Sequence, residues 1–186
     1  MDITYVLLGI AVVVGLGIVW AYNRFVTLTN RCEEGWSDID VQLKRRYDLI
    51  PNLVSTVQGY VKHEQGTLQK VTEARTKAMG AQSVGEHAAA ENMLTGALKT
   101  LFAVAESYPD LKANASFVEL QRELSDTENK IQAARRFYNS VVIELQNALE
   151  MFPSNLIGNM FGFKTREFFE LAGDEQAARN PVKVSF

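Results

Sequence analysis

The stretch Ile3 to Tyr22, ITYVLLGIAVVVGLGIVWAY, constrains this chain more than any other, because it passes 20 residues without a charged side chain. As a helix rising about 1.5 Å per residue it would be ~30 Å long, the thickness of a bilayer's hydrocarbon core. In lipid every backbone N–H and C=O needs an internal partner, and a single helix supplies them all. The run therefore predicts a membrane span containing Ile3, Tyr5, Leu8, Val13, Leu16, Trp20 and Tyr22. Its aromatic rings lie near the two ends, where amphipathic rings favour the interface.

A cleavable signal peptide would instead carry a basic n-region and an apolar run of about 7–15 residues. Met1-Asp2 has no Lys or Arg, and the run is longer than that. A buried core helix is usually shorter too. A retained anchor is the expectation. Arg24, Arg31, Lys44, Arg45 and Arg46 follow the run and no basic residue precedes it. The positive-inside rule then puts the N-terminus outside and the body in the cytoplasm. The expected organisation is a stub and anchor at 1–23, a helical bundle at 24–160 and a C-terminal tail at 161–186.

The net charge of −3 leaves no basic field for nucleic acid. One cysteine, Cys32, makes neither a disulfide nor a cysteine-based metal site. Four prolines and abundant Ala, Leu, Glu, Gln and Lys favour helices. Steps of three and four trace a mostly apolar, coiled-coil-like seam through Tyr22, Phe25, Thr29, Cys32, Trp36, Ile39, Leu43, Arg46, Ile50, Leu53, Val57, Tyr60, Glu64, Thr67, Val71, Ala74 and Ala78. The first helix is thus expected to run on to Gly80, with a kink rather than a reversal at Pro51. A full reversal there, giving four helices of similar length, is the alternative. Ser83 and Glu86 have capping-box spacing and open a second helix, Glu86 to Tyr108, with Pro109 as its stop. Ser116 and Glu119 repeat that spacing. A third helix follows to Phe152, with Phe117, Leu124, Ile131, Tyr138, Val141 and Leu145 on one face. The fold class expected is all-α: a transmembrane helix and then an antiparallel up-and-down bundle of three to four long helices. The tail aromatics Phe161, Phe163, Phe168 and Phe169 are expected to pack on the bundle, insertion of that cluster into lipid being the alternative, and Pro181 to Phe186 to be extended.

The motifs for chemistry are incomplete. His63-Glu64 opens a zinc-protease pattern, but its second histidine is replaced by Thr67. No phosphate loop, dinucleotide fingerprint or nucleophile elbow occurs. No catalytic residue, metal ligand or cofactor is assigned. In Lys44-Arg45-Arg46, a continuous helix would carry the triplet ~33 Å past Tyr22, beyond the Debye length of ~8 Å over which surface attraction persists. Arg46 falls on the seam and needs a carboxylate, for which Glu119, Glu123 and Glu128 are the candidates. Trp36, Lys44, Arg45, Arg46 and Pro51 are the candidate interaction residues.

The segment Asp38-Ile39-Asp40-Val41-Gln42-Leu43-Lys44-Arg45-Arg46-Tyr47-Asp48-Leu49-Ile50-Pro51-Asn52-Leu53-Val54 resembles the signature of the LemA family. Ala74-Arg75, Tyr108-Pro109-Asp110-Leu111-Lys112-Ala113-Asn114, Thr127-Glu128-Asn129-Lys130-Ile131 and Phe152-Pro153-Ser154-Asn155 extend the likeness. Cys32 and Gly35 depart from it, standing where the family more often has Val and Ala. The resemblance implies a bacterial inner-membrane protein with one N-terminal membrane helix, a cytoplasmic helical bundle and no enzymatic activity. Together these readings lead to a non-enzymatic scaffold or membrane organiser. Its partners would be membrane lipid, further copies of itself in a homo-oligomer, and another membrane protein. A membrane-tethered adaptor or sensor in envelope signalling or stress response is the alternative.

Overall fold

The computed structural model describes residues 3–61 and 64–169, which fold into helices joined by short turns. These are α1 (Ile3–Gln58), α2 (Gln65–Met79), α3 (Val84–Ala105), α4 (Pro109–Lys112), α5 (Ala115–Glu150) and α6 (Ser154–Met160). They form two compact units, and both units draw on α1 and α5. One takes residues up to 37 with 136–167; the other takes 38–135 with Phe168 and Phe169.

In the 38–135 unit α1 passes through Pro51 without a break. Proline has no N–H, so the Tyr47 carbonyl four residues back loses its helical donor. Arg75 fills that place from α2, donating its Nε–H to the Tyr47 oxygen at 2.7 Å. The expectation of a helix running to Gly80 is corrected here: α1 stops at Gln58 and the chain doubles back before α2. Gly59 is a poor helix former, costing about 1 kcal/mol against alanine. Of the next seam positions, Glu64 and Thr67 are polar and Tyr60 stays 40% exposed, so little apolar burial holds a helix straight. Reversal lets Leu68, Val71, Ala74 and Ala78 be buried. The alternative of a reversal at Pro51 into helices of similar length does not form either: the reversal comes after Gln58, and α2, α3 and α5 have 15, 22 and 36 residues.

Side-chain contacts fix the directions. Arg75 meets Tyr47, Lys77 meets Met93 at 3.5 Å, Phe102 meets Phe117 at 6.2 Å between rings, and Asn114 donates to Tyr60 at 2.8 Å. Each of these pairs joins antiparallel neighbours. With α1 antiparallel to α2 and α2 antiparallel to α3, α1 and α3 run parallel, and Arg46 of α1 reaches Glu91 and Thr95 of α3. The result is an up-down-up-down arrangement of α1, α2, α3 and α5. Its core includes Ile39, Leu43, Ile50, Leu53, Leu94, Leu101, Leu111 and Ile131, all at most 1% exposed.

The Ser83 capping box forms as expected: its hydroxyl accepts from the Glu86 N–H, and Glu86 accepts in return from the Ser83 N–H. The second box does not form. Helix α5 begins at Ala115, so Ser116 is already inside it. Asn114 is the cap, accepting from the Phe117 N–H at 3.0 Å, and asparagine is as good a cap as serine.

In the other unit, α1 and α5 are again antiparallel, with Arg31 on Glu144 at 3.3 Å and Trp36 edge-on to Tyr138 at 5.8 Å. Phe25, Leu28, Cys32, Tyr138, Val141 and Leu145 are buried. Phe163 stacks on Phe25 at 5.0 Å, and Phe161 meets Tyr22 edge-on at 4.9 Å, so these two tail aromatics pack on the protein. Phe169 is buried in the 38–135 unit beneath the Arg135 guanidinium, and Phe168 is half-buried there. The Pro181–Phe186 segment lies outside the described residues. From Ile3 to Trp20 the side chains of α1 are exposed throughout, on a helix long and apolar enough to cross a membrane.

Candidate functional site

The heptad seam of α1 demands an apolar side chain at position 46 and receives an arginine that is 4% exposed. A guanidinium taken out of water needs a counter-charge and a donor-by-donor match. Both are present. One terminal nitrogen lies 3.0 Å from Glu91 on α3 and 2.9 Å from Glu128 on α5. The other donates to Thr95 Oγ1 at 2.8 Å. Glu91, 3% exposed, accepts on its second oxygen from the Tyr47 hydroxyl. Because α1 and α3 are parallel members of the bundle, this pairing crosses its middle.

Burial pushes the Glu91 carboxyl above the usual carboxylate range, against the pull of Arg46 and of the Tyr47 hydrogen bond. Burial, and then Glu91, push the Tyr47 hydroxyl far above its ordinary value, so it stays a donor. Arg46, Glu91, Tyr47 and Thr95 are turned onto one another inside the bundle.

Of the three carboxylates expected for Arg46, Glu128 is its partner. Glu119 pairs with Arg122 at 2.7 Å on the surface, and the Glu123 carbonyl accepts from the buried Thr127 hydroxyl. Glu91 was not anticipated. Its signal was present: it stands three residues before Leu94 on the apolar face of α3, a lone carboxylate where the period calls for a hydrophobe.

The five candidate interaction residues are not gathered at one place. Arg46 faces the core; Lys44, Arg45 and Pro51 are on α1 and exposed. Trp36 is half-buried against Tyr138 in the other unit. Cys32 is buried, and that burial raises its thiol pKa, leaving a poor nucleophile. His63 lies outside the described residues. Among those described, no three His, Cys, Asp or Glu side chains converge as a metal would require.

The fold and the cluster define a class: an all-α, membrane-associated protein with one bare apolar helix and a bundle locked by buried ions. The chain belongs to the LemA family, whose model matches residues 35–186. It is 27% identical over 168 residues to Protein LemA of Metamycoplasma hominis, covering 85% of this chain and 75% of that protein. It is 23% identical over 187 residues to magnetosome proteins MamQ 1 and MamQ 2 of Paramagnetospirillum magneticum, covering 87% of this chain and 68% of each.

Proposed function

We propose that this protein is a non-enzymatic, single-pass membrane scaffold. The observation that carries the reading is the exposure of α1 from Ile3 to Trp20, on the same chain as a bundle whose buried charges are spent on one another. Arg24 and Arg31, just past the apolar run, favour a cytoplasmic body at the inner membrane of a bacterial cell. The outer face of α1 in the family signature carries Val41, Lys44, Asp48 and Pro51, with Val41, Lys44 and Pro51 exposed. Among the described residues, Lys44 makes no ion pair, and this face is the surface offered to a partner. A second copy anchored in the same membrane meets that face at high effective concentration, so modest affinity suffices.

The test is gentle detergent extraction followed by mass measurement of the intact particle. A multiple of the 20.8 kDa chain is expected, lost in the Val41→Glu, Lys44→Glu double variant with helicity unchanged. A strict monomer would remove self-association. A fixed complex with a different protein would replace the scaffold with an adaptor.

A further inference from the structure

Beyond the cluster and the α1 face, one region of the molecule has no assigned role: the corner where α5 gives way to α6. From Met151 to Phe163 the sequence has no charged residue, though Glu150 and Lys164 flank it. Met151, Phe152, Leu156 and Met160 are 64%, 78%, 58% and 73% exposed. Four large apolar side chains this bare on consecutive turns are not the surface of a protein that faces water there.

The same corner forms one wall of a groove of about 760 Å³, within the ~300–1,000 Å³ of ordinary ligand sites. Val14, Gly17 and Ile18 of α1 form the opposite wall, and these belong to the apolar run. Whatever solvent surrounds Val14 and Ile18 therefore also bathes Met151 and Phe152. Arg24, two residues past the run, lines the groove together with Glu144, which pairs with Arg31.

The backbone at the corner is prepared for such a solvent. A helix end leaves carbonyls unpaired, which is costly in lipid. Here the Ser154 hydroxyl donates to the Ala148 and Met151 carbonyls at 2.7 and 2.8 Å, and the Asn155 N–H donates to Met151 at 2.8 Å.

We infer that the α5–α6 corner is a second membrane contact, seated in lipid beside the span, and that the groove holds a phospholipid acyl chain with its phosphate at Arg24. The inference rests on the anchored reading above. Contact with the span's own wall commits the groove to lipid. Arginine matches the phosphate's charge and its paired oxygens.

The test places nitroxide labels on the full chain, in a Cys32→Ala background, reconstituted in phosphatidylethanolamine–phosphatidylglycerol vesicles. Labels go at Phe152→Cys and Leu156→Cys, with Val12→Cys as the lipid reference and Glu34→Cys as the aqueous one. Oxygen partitions into apolar surroundings and a nickel chelate stays in water. The ratio of their collision rates is expected to be several-fold higher at 152 and 156 than at 34, and to approach that at 12. A water-like ratio at 152 and 156 with a lipid-like one at 12 overturns the second contact and leaves the anchor standing. A water-like ratio at 12 as well overturns both. Exclusion of both reagents at 152 and 156 means that a second copy covers the corner, and also overturns the inference. Independently, phospholipid phosphorus retained per chain after detergent washing should fall in Arg24→Glu. An unchanged value removes the phosphate contact from the groove.

Discussion

The two units share the helices α1 and α5 and the same seam period, yet they fill that seam differently. In the 38–135 unit, α2 and α3 join the shared pair, and a charged Arg46 sits at the centre. In the other unit, α6 and residues 161–167 join them, and the buried side chains of α1 include Ala21, Phe25, Leu28 and Cys32. The difference teaches where a buried charge is tolerable. Arg46 is met from two further helices at once, with Glu91 and Thr95 on α3 and Glu128 on α5. No such convergence of carboxylates is found beside Phe25 among the described residues, and there these buried side chains are apolar.

The largest effect expected is that of Arg46→Ala. Removing one partner of a buried pair strands the other and costs about 3–5 kcal/mol. Urea unfolding of the detergent-solubilised chain, followed by far-ultraviolet circular dichroism, measures it. Replacing the two most buried members, as Arg46→Leu with Glu91→Leu, should recover most of the loss, because the fully buried carboxylate goes too and the remaining Glu128 keeps partial access to water. If the double variant is as unstable as the single, the cluster's hydrogen bonds to Tyr47 and Thr95 matter more than its charge.

Next comes Phe25→Ala, at about 3 kcal/mol from lost burial and the cavity left behind. Both tryptophans, Trp20 and Trp36, lie in this unit, so fluorescence reports on it alone while circular dichroism reports on every helix. Phe25→Ala should move the fluorescence transition more than the dichroism transition, and Arg46→Ala the reverse. Equal shifts of both signals in both variants would erase the comparison, showing that the two units unfold as one.

A smaller effect is expected of Arg75→Met. The change keeps the length of the side chain but leaves the Tyr47 carbonyl without the donor that Pro51 took away. An unmet buried acceptor costs about 1–3 kcal/mol. Pairing Arg75→Met with Pro51→Ala, which returns an N–H to that carbonyl, should cost less than Arg75→Met alone. A double variant no better than the single would mean that Arg75 acts through packing.

Much of this was legible in the residues. The apolar run, the Ser83 cap, the all-α class and the long α5 follow from composition and period, which are local properties. The turn at Gly59 was not, because the heptad phase carries on from Val57 to Val71 as if the helix continued. Phase reports which face is apolar, not whether the backbone between two apolar faces is straight. Half the ion cluster was legible for a related reason. A charge on an apolar stripe announces that it needs a partner, and Glu128 was found on the helix already expected to face α1. Glu91 needed the knowledge that α3 runs parallel to α1 with the two meeting near position 46, and no local pattern contains that. The exposed corner after Phe152 was hidden in the same way, since an apolar run of that length reads equally as core.

The smallest effect concerns pH, and its sign separates two accounts of the cluster. Burial raises the Glu91 carboxyl above its ordinary value of about 4.3. The groups facing it are Arg46, the Tyr47 hydroxyl and His87, which favour its ionised form, and Glu128, which opposes it. A carboxyl raised in the folded state contributes stability that is complete below about 4.3 and is lost as pH rises through the folded value. Wild type should therefore lose ground against Glu91→Gln, which does not titrate, as pH rises above the ordinary carboxyl value of about 4.3. Unfolding in urea at several pH values, read by circular dichroism, gives that difference. The tryptophan signal, arising in the other unit, serves as the internal control. If wild type instead gains on Glu91→Gln as pH rises, the attraction of Arg46 outweighs desolvation. The cluster would then be a net source of stability, rather than a device for fixing which helices meet at the centre of the bundle.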